Sequence, residues 1–316
     1  DYIVCLHMEP DHAGSMMKAM ETFPTAKVVG NAKTFTYMAQ FFDVNLEGRK
    51  VEVKDGESLS LGEHNLTFVC APMVHWPEVM VAYESSEKVL FAADAFGKFG
   101  AISKYDGDWA CEARRYYFNI CGKYGVQVQS LLKKAAALDI KTIAPLHGPV
   151  LKENLGYYID LYNTWSSYGV ESEGVLVAFA SIHGNTRKAA EKIASILEKQ
   201  GAKKVVVSDL SRDDEAEVIE DAFRYGRMII AAPTYDGGLF PPMESFLSHL
   251  KSKNYQKRTV GIIENGTWAP MSGKLMKAAL ESMKEIKICD TVVTIKSALK
   301  AEQEDSLVAL AKEVLA

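Results

Sequence analysis

The sequence lacks long hydrophobic runs, paired cysteines and an excess of positive charge. No apolar stretch reaches the roughly 18 residues that a membrane-spanning helix needs. The five cysteines form no C-x-x-C pair, which argues against a disulfide framework, a four-cysteine zinc or iron site and a fused rubredoxin domain. Lys and Arg number 36 against 41 Asp and Glu, so an anionic nucleic-acid or membrane partner gains no electrostatic support.

What is present is typical of a folded protein with a real core. Hydrophobic residues make up 48% of the 316 residues and charged residues 24%. At about 100–200 residues per domain, this length predicts two domains. Scattered thiols without a signal peptide predict a reducing cytoplasm. The chain opens on Asp1 and enters an apolar strand at once, so we expect the sequence to start inside a domain.

The second part of the chain, residues 174–316, has a regular α/β pattern. It opens with a continuous apolar run at 175–180, as expected of a parallel strand buried on both faces. Five strands then alternate with five amphipathic segments. The pattern predicts a doubly wound parallel five-stranded sheet.

The first part, residues 1–169, is less regular and predicts a mixed α+β layered domain. Short strands are predicted at 2–6, 27–29, 51–53, 66–69, 80–83 and 89–91, and helices at 15–21, 34–42, 111–121, 129–137 and 155–168. The last of these helices is expected to close the domain ahead of a junction at 169–173.

Potential metal ligands crowd the end of the first strand. His7, Glu9, Asp11 and His12 fall within six residues, and Pro10 and Gly14 predict that they lie in a loop. Such a loop can aim His7 and Glu9 at one ion, and Asp11 and His12 at another. Ser15 is a plausible cap for the following helix.

Three further candidate ligands end apolar, strand-like runs. They are His75, Asp94 and His147, each close to Gly or Pro, where binding sites are usually built. Any one of them alone is more often a hydrogen-bonded turn residue. Together with four ligand types within six residues, they predict a metal centre.

This arrangement resembles the metallo-β-lactamase fold, an αββα sandwich with a dinuclear site between its sheets. Hydrolytic members carry H-x-H-x-D-H and bind zinc, whereas this sequence has H-x-E-x-D-H with Glu9 at the third position. Four histidines and the three carboxylates of Glu9, Asp11 and Asp94 form an oxygen-rich set that suits iron, which can change its oxidation state. Zinc cannot do so, and the substitution therefore points from hydrolysis toward redox chemistry.

Three loops in the second part predict a flavin site. The first, at 181–186, places small and hydroxyl residues at a helix N-terminus and resembles the phosphate loop of flavodoxin. The others, at 232–238 and 264–270, follow the third and fourth strands, beside the point where strand order reverses. The candidate FMN-binding residues are Ser181, His183, Gly184, Asn185, Thr186, Pro233, Thr234, Tyr235, Asp236, Gly237, Gly238, Asn265, Gly266, Thr267 and Trp268.

A lactamase-like domain followed by a flavodoxin-like domain resembles the flavodiiron proteins, also called A-type flavoproteins. The resemblance rests on the segments HMEPDHAGS, VHWPE, AADAFG, APLHGP, SIHGNT, APTYDGG and NGTWAP. It implies that His7, Glu9 and His75 bind one iron, that Asp11, His12 and His147 bind the other, and that Asp94 bridges them. The His12 position does not ligate in every relative. His64, His183 and His249 match no ligand position.

The resemblance also implies an activity, which is reduction of dioxygen to water, of nitric oxide to nitrous oxide, or of both. Dioxygen needs four electrons, which FMN and a diferrous pair together hold, whereas coupling two nitric oxides needs two. Family members pair head to tail as dimers or dimers of dimers, and a separate donor, such as rubredoxin or a deazaflavin, supplies electrons. They carry a further N-terminal stretch, so the lactamase-like domain is expected to be incomplete here and to need a companion fragment.

Two alternatives remain open at this point. One is a zinc-dependent hydrolase of the lactamase superfamily fused to a flavodoxin-like domain, against which Glu9 argues. The other is a flavodoxin-type electron carrier with a vestigial metal domain, against which the complete ligand set argues. The sequence does not rank dioxygen against nitric oxide.

Overall fold

A computed structural model describes residues 1–104 and 108–316 and divides them into two compact units. The units are Asp1–Ser167 and Tyr168–Ala316. The sequence-based bounds, 1–169 and 174–316, differ from this division by a few residues. Among the described residues, no helix is both long and apolar enough to cross a membrane.

The first unit contains two β-sheets. Strands β1 (Tyr2–Val4), β2 (Lys27–Gly30) and β3 (Lys50–Glu52) form a parallel sheet, and strands β4 (Ser58–Ser60), β5 (Asn65–Cys70), β6 (Met80–Glu84), β7 (Val89–Phe91) and β8 (Thr142–Ala144) form a mixed one. Among the described strands of the second sheet, β7 and β8 run parallel and the other neighbouring pairs run antiparallel. Residues from both sheets share a hydrophobic cluster that includes Val29, Phe68 and Met80, so the sheets bury apolar faces against each other.

Helices accompany both sheets of this unit. They are α1 (Pro10–Ala13), α2 (Met16–Thr22), α3 (Ala32–Phe41), α4 (Trp109–Ile120), α5 (Gly125–Ala135) and α6 (Leu155–Ser166), with 3₁₀ turns at Ile102–Lys104 and Gly122–Tyr124. Asn31 starts α3 with a reciprocal capping box to Thr34. Asp108 caps α4 by accepting the backbone N–H groups of Ala110 and Cys111.

Two local expectations for this unit were wrong, and one strand was missed. The segment after the first strand is not all loop, because Pro10 fits the first turn of a helix and α1 forms there. The run before His75 is a turn between β5 and β6 rather than a strand. Strand β4 was not predicted, because its only apolar residue is Leu59 and its pairing depends on β5.

The second unit is a doubly wound α/β domain, as predicted. Strands β9 (Ser172–Phe179), β10 (Val205–Asp209), β11 (Tyr225–Tyr235), β13 (Thr259–Asn265) and β14 (Lys287–Ile295) form a parallel sheet in the order β10-β9-β11-β13-β14. Helices α7 (Asn185–Lys199), α8 (Glu215–Arg224), α9 (Pro241–Ser252), α10 (Ser272–Glu281) and α11 (Glu304–Leu315) alternate with these strands, and a 3₁₀ turn at Ala301–Gln303 precedes α11. The strand order reverses between β9 and β11, which opens a crevice at the carboxyl ends of the strands.

The loop predicted at 232–238 is largely ordered β-structure. Strand β11 continues to Tyr235 and pairs with the short antiparallel strand β12 (Gly238–Leu239). Asp236 and Gly237 form the two-residue turn, and both have positive φ values, of 48° and 72°. An Asp-Gly pair is the usual sequence for such a turn, so the hairpin had a recognisable signal.

Candidate metal centre and flavin site

The candidate metal ligands lie in loops and turns that follow or join the strands of the first unit. His7 and Glu9 follow β1, and the single helical turn of α1 carries Asp11 and His12. His75 lies in the turn before β6. Asp94 follows β7, and His147 follows β8, which is parallel to β7. All seven predicted residues fall into two clusters.

The first cluster contains His7, Glu9, His75 and Asp94. One ligand atom from each lies within 4.8 Å of the others. His75 Nε2 is 3.0 Å from Glu9 Oε2 and 2.9 Å from Asp94 Oδ2. His7 Nε2 is 3.2 Å from the same Glu9 oxygen.

The second cluster contains Asp11, His12 and His147, with Asp94 beside it. Asp11 Oδ2 lies 3.3 Å from His12 Nε2 and 3.2 Å from His147 Nε2. The other oxygen of Asp94, Oδ1, is 2.9 Å from His12 Nε2 and 3.7 Å from His147 Nε2. Asp94 therefore presents one oxygen to each cluster, the geometry expected of a bridging carboxylate.

The donor atoms of the two clusters fit a pair of metal ions. His12 Nε2 and Asp94 Oδ1 are buried and close together, yet neither makes a well-directed hydrogen bond to a described residue. Buried polar atoms normally have partners, so these two atoms indicate a ligand, such as a metal ion, that both of them contact. The mixture of imidazole nitrogens and carboxylate oxygens suits iron.

Burial and neighbouring charges shift the pKa values of the candidate ligands in opposite directions. Burial alone would raise the pKa of Asp94, but contact with His12 and His75 and the nearby His7 hold that pKa well below its usual range. Burial alone would lower the pKa of His7, but its hydrogen bond to Glu78 and the charges of Asp94 and Glu78 raise it. The Asp94 carboxylate therefore stays ionised.

Aromatic residues enclose the clusters. Trp76 lies edge-on to the ring of His7, with the two centroids 5.2 Å apart, and the ring of Tyr116 lies 5.4 Å from that of His147. Burial and the charge of Asp94 raise the pKa of Tyr116, so its hydroxyl keeps its proton. Neither Tyr116 nor the buried Glu78 was identified from sequence, although Glu78 ends the quoted segment VHWPE.

A cavity of about 490 Å³ lies at the carboxyl ends of the strands in the second unit. Thirteen of the fifteen predicted flavin-binding residues line it: Ser181, His183, Asn185, Thr186, Pro233, Thr234, Tyr235, Asp236, Gly237, Asn265, Gly266, Thr267 and Trp268. Gly184 and Gly238 do not. Ile182, Ala269, Met271 and Ser297 also line the cavity and were not predicted.

The first loop of this cavity leads into helix α7. Ser181 Oγ accepts hydrogen bonds from the backbone N–H groups of Gly184, at 3.1 Å, and Arg187, at 3.3 Å. Gly184 occupies the N-cap position with a φ of 84°, a conformation that favours glycine. Gly184 thus shapes the loop without lining the cavity, and the helix start it precedes suits a phosphate.

Hydrogen bonds join the other loops to one another. Asn265 Nδ2 donates to Ser297 O at 2.9 Å, and Asn265 Oδ1 accepts from Ser297 N at 3.1 Å. Thr234 Oγ1 accepts from the backbone N–H groups of Met271 and Ser272. Ser297 follows the fifth parallel strand, whose carboxyl end shares an edge with the others, and that position was the signal by which it could have been found.

Two aromatic side chains border the cavity. Tyr235 is 45% exposed and Trp268 is 91% exposed, both unusual for large rings. Planar exposed rings beside a cavity of this size suit a flat aromatic ligand such as isoalloxazine.

The remaining histidines lie away from the two clusters. His64 Nδ1 is 3.2 Å from Glu84 Oε1, and His249 Nδ1 is 2.5 Å from Glu215 Oε1. About half of each of these histidine side chains is exposed. His183 lines the flavin cavity.

Both parts of the chain match known families. Residues 1–148 match the ODP family beta lactamase, and residues 176–294 match the flavodoxin domain. A Moorella thermoacetica protein named nitric oxide reductase is 28% identical over 325 residues, covering 100% of this chain and 80% of its own length. The chain spans 64% of the length of a Methanocaldococcus jannaschii relative and 46% of the length of a Synechocystis one. It thus covers about half to four fifths of the length of these three curated relatives.

Solved structures agree with this pairing of domains. Rubredoxin oxygen:oxidoreductase from Desulfovibrio gigas superposes with a TM-score of 0.92 at 25% identity, covering 99% of this chain and 80% of that one. The flavodiiron protein of Giardia intestinalis has the same fold, with a TM-score of 0.93 at 23% identity, covering 100% and 80%. With a lactamase-like domain followed by a flavodoxin domain, the chain belongs to the flavodiiron protein family.

Proposed function

We propose that this protein is a flavodiiron oxidoreductase that reduces dioxygen to water, nitric oxide to nitrous oxide, or both. The observation that carries the proposal is the pair of ligand clusters that share Asp94. A second support is the cavity at the switch point of the flavodoxin-like sheet. Relatives named nitric oxide reductase and rubredoxin oxygen:oxidoreductase support both gases as substrates.

In this proposal each cluster holds one iron. His7, Glu9 and His75 bind the first and Asp11, His12 and His147 bind the second, with one Asp94 oxygen directed to each. Bound iron and FMN would supply the electrons that gas reduction consumes. The chain's own task is to hold the ligand atoms at fixed separations, so that two nitric oxide molecules, or both atoms of one dioxygen, would lie beside the two metal positions.

Burial of the ligands serves the same chemistry. Asp94 and His7 are almost fully buried, and Tyr116 covers the side of the centre near His147. A low-dielectric enclosure strengthens the attraction between carboxylates and metal ions. Tyr116 retains its hydroxyl proton there and can donate a hydrogen bond beside Asp94.

The flavin would bind in the cavity of the second unit. We assign the phosphate to the loop at 181–186 and the ring system to the region between Tyr235 and Trp268. Gly237, at the tip of the hairpin turn, allows close approach of the backbone. All fifteen residues predicted from sequence remain in the proposed site, with Gly184 and Gly238 acting through loop shape.

We further propose a head-to-tail homodimer, or a dimer of dimers, fed by a separate donor such as rubredoxin. The name of the Desulfovibrio gigas protein supports such a donor. The scattered thiols favour the cytoplasm. A monomer that retains full turnover would contradict the proposed assembly, and analytical ultracentrifugation of the active protein provides the measurement.

A companion segment is proposed for the first unit. A groove of about 350 Å³ beside His7 and His12 is lined mainly by apolar side chains, among them Val4, Leu66 and Phe91. Phe91 and Leu146 in this lining are 40% and 44% exposed, and exposed apolar side chains at a groove mark an interaction surface that a further polypeptide segment could cover. Intact-mass analysis of natively purified protein should reveal that additional segment, and a single species with this sequence alone would contradict it.

The central proposal is tested by reducing the protein under anaerobic conditions and then mixing it with each gas in a stopped-flow instrument. Iron and FMN are quantified in the same sample. Rapid flavin reoxidation with two irons and one FMN per chain is expected. Zinc with hydrolytic activity would support the hydrolase alternative, and flavin reoxidation that is independent of iron would support the carrier.

A further inference from the structure

A buried carboxylate lies directly behind His7 and belongs to neither ligand cluster. Glu78, in the turn between β5 and β6, is fully buried. Its Oε1 is 2.7 Å from His7 Nδ1 and accepts a hydrogen bond from the backbone N–H of Met8 at 2.8 Å. Glu78 therefore contacts both the candidate ligand and the residue that follows it.

This contact determines which nitrogen of His7 faces the first cluster. Nδ1 faces Glu78, so Nδ1 carries a proton and donates a hydrogen bond to the carboxylate. In the neutral imidazole, Nε2 is then the nitrogen that carries no proton, and it lies 3.2 Å from Glu9 Oε2 and 3.5 Å from Asp94 Oδ2. An imidazole binds a metal through an unprotonated nitrogen, so the contact with Glu78 presents the correct one.

Glu78 is itself held by a different part of the unit. Asn31 Nδ2 donates to the backbone carbonyl of Glu78 at 2.6 Å, and the same side chain caps α3 through its oxygen. The rings of His75 and Trp76 lie edge-on to His7, which leaves the imidazole little room to turn. The orientation of His7 thus depends on two other segments of the chain, the turn that contains residues 75–78 and the start of α3 at Asn31.

We propose that Glu78 is a positioning residue that fixes the tautomer and orientation of His7 for the metal ion of the first cluster. This inference rests on the proposed metal centre and deepens it. Two divalent ions bring four positive charges, and Glu9, Asp11 and Asp94 bring three negative ones. Glu78 supplies the fourth, which gives a reason for burying a carboxylate whose Oε2 lacks a hydrogen-bond partner among the described residues.

Cobalt(II) titration of the metal-free, full-length protein tests the proposal without turnover or iron. Binding is followed by the visible absorption of cobalt and by equilibrium dialysis. In E78A we expect one of the two sites to bind cobalt about 10–100-fold more weakly, while the other site keeps its affinity. E78Q preserves the side-chain volume and an acceptor but removes the charge, so its loss should lie near the lower end of that range.

The chain offers a matched control in the pair His64 and Glu84. Glu84 Oε1 lies 3.2 Å from His64 Nδ1, and the carboxylate also accepts backbone N–H groups, yet this pair lies outside both clusters. E84A and E84Q should bind two cobalt ions as the wild type does. Thermal unfolding of all the metal-free variants checks that each is folded. If E78A does not fold, the cobalt affinity of E78Q tests the role of Glu78.

The outcomes separate this inference from the proposed function. Two cobalt sites of wild-type affinity in a folded E78 variant would overturn the role of Glu78, as would an equal loss at both sites. A wild type that binds two metal ions but reduces neither gas would instead contradict the proposed function and leave the role of Glu78 intact.

Discussion

At the scale of single residues, Asp94 is held between two unusual backbone positions. Ala93 and Phe96, on either side of it, have φ values of 49° and 65°, which non-glycine residues rarely adopt. Such conformations cost of order 1–3 kcal/mol each and persist where the surrounding structure enforces them. The strain around Asp94 is consistent with a backbone shaped to direct its two oxygens in opposite directions.

Substitution of Asp94 should separate the metal centre from the flavin. In D94A both clusters lose a shared carboxylate, so we expect fewer than one iron per chain and loss of gas reduction, with FMN content unchanged. Iron analysis, flavin absorbance and stopped-flow kinetics provide the measurements. The exposed Asp139 gives the control D139N, which should retain iron, and gas reduction that persists in D94A would favour the electron carrier.

Glu84 should contribute to stability in a defined acidic range. The backbone N–H groups of Glu87 and Ser86 donate to its carboxylate and lower the pKa of Glu84 from 4.5 to about 2. A lowered folded-state pKa gives stability that is complete above pH 4.5 and is lost as the pH falls toward 2. Urea unfolding of E84Q between these pH values should show a shallower decline than the wild type, and identical slopes would contradict this.

At the scale of elements, the flavin cavity depends on links between loops. The two hydrogen bonds between Asn265 and Ser297 join the ends of β13 and β14, and Asn265 Nδ2 also approaches Thr186 Oγ1, at 3.4 Å. The buried amide of Asn265 is therefore engaged by the protein itself. Its main contribution to flavin binding should be to hold the loop that carries Trp268.

N265A should consequently weaken FMN binding. Loss of two hydrogen bonds, each worth about 1 kcal/mol, corresponds to roughly a 10–100-fold rise in Kd. Quenching of flavin fluorescence during titration of the apoprotein measures the change. S297A retains the backbone groups that pair with Asn265 and should bind FMN nearly as tightly as the wild type, so a larger loss in S297A than in N265A would contradict this account.

The cap of helix α3 should be worth more than an average cap. N31A removes two hydrogen bonds to the helix start and the contact with the Glu78 carbonyl, so we expect destabilisation of about 1–2 kcal/mol. Urea unfolding of the metal-free protein measures it. Thr36 lies on the exposed face of the same helix, and its hydroxyl donates a hydrogen bond to the backbone carbonyl of Ala32. T36A removes this hydrogen bond and should change stability by much less.

Sequence periodicity predicted the elements of the second unit better than those of the first. Long apolar strands such as β9 and amphipathic helices such as α7 carry their own signal over many residues. Strand β4 and helix α1 are only three and four residues long, and they form because neighbouring segments support them. Segments of three or four residues are too short to show a hydrophobic period.

The candidate site shows the same division. His7, Glu9, Asp11 and His12 could be identified because they are adjacent in sequence and share ligand chemistry. Glu78 could not, because its role arises from a contact with a residue 71 positions away. Ser297 likewise joins the cavity only through the alignment of parallel strand ends.

At the scale of the whole molecule, each unit has its own hydrophobic core. The second unit buries residues such as Val177, Ile193, Leu197 and Leu310 in a cluster formed within that unit. Residues 168–316 expressed alone should therefore fold and bind FMN without metal. Circular dichroism and FMN titration test this, and a fragment that aggregates or fails to bind FMN would show that the first unit is required.

The pairing of domains was predictable from sequence because two independent sets of motifs occur in one chain. The choice between gases was not, since it depends on the shape of the space beside the clusters rather than on the identity of the ligands. The same holds for the electron donor, whose recognition depends on surface shape and charge spread over many residues.

The exposure of Trp268 has a practical consequence. Trp109 and Trp165 are buried and Trp76 is partly so, which leaves Trp268 as the indole most accessible to a collisional quencher such as acrylamide. Its emission overlaps the near-ultraviolet absorption of an oxidised flavin, so energy transfer should darken it when the cavity fills. The protein thus carries an intrinsic optical probe of its own cofactor occupancy, and W268F should remove that signal.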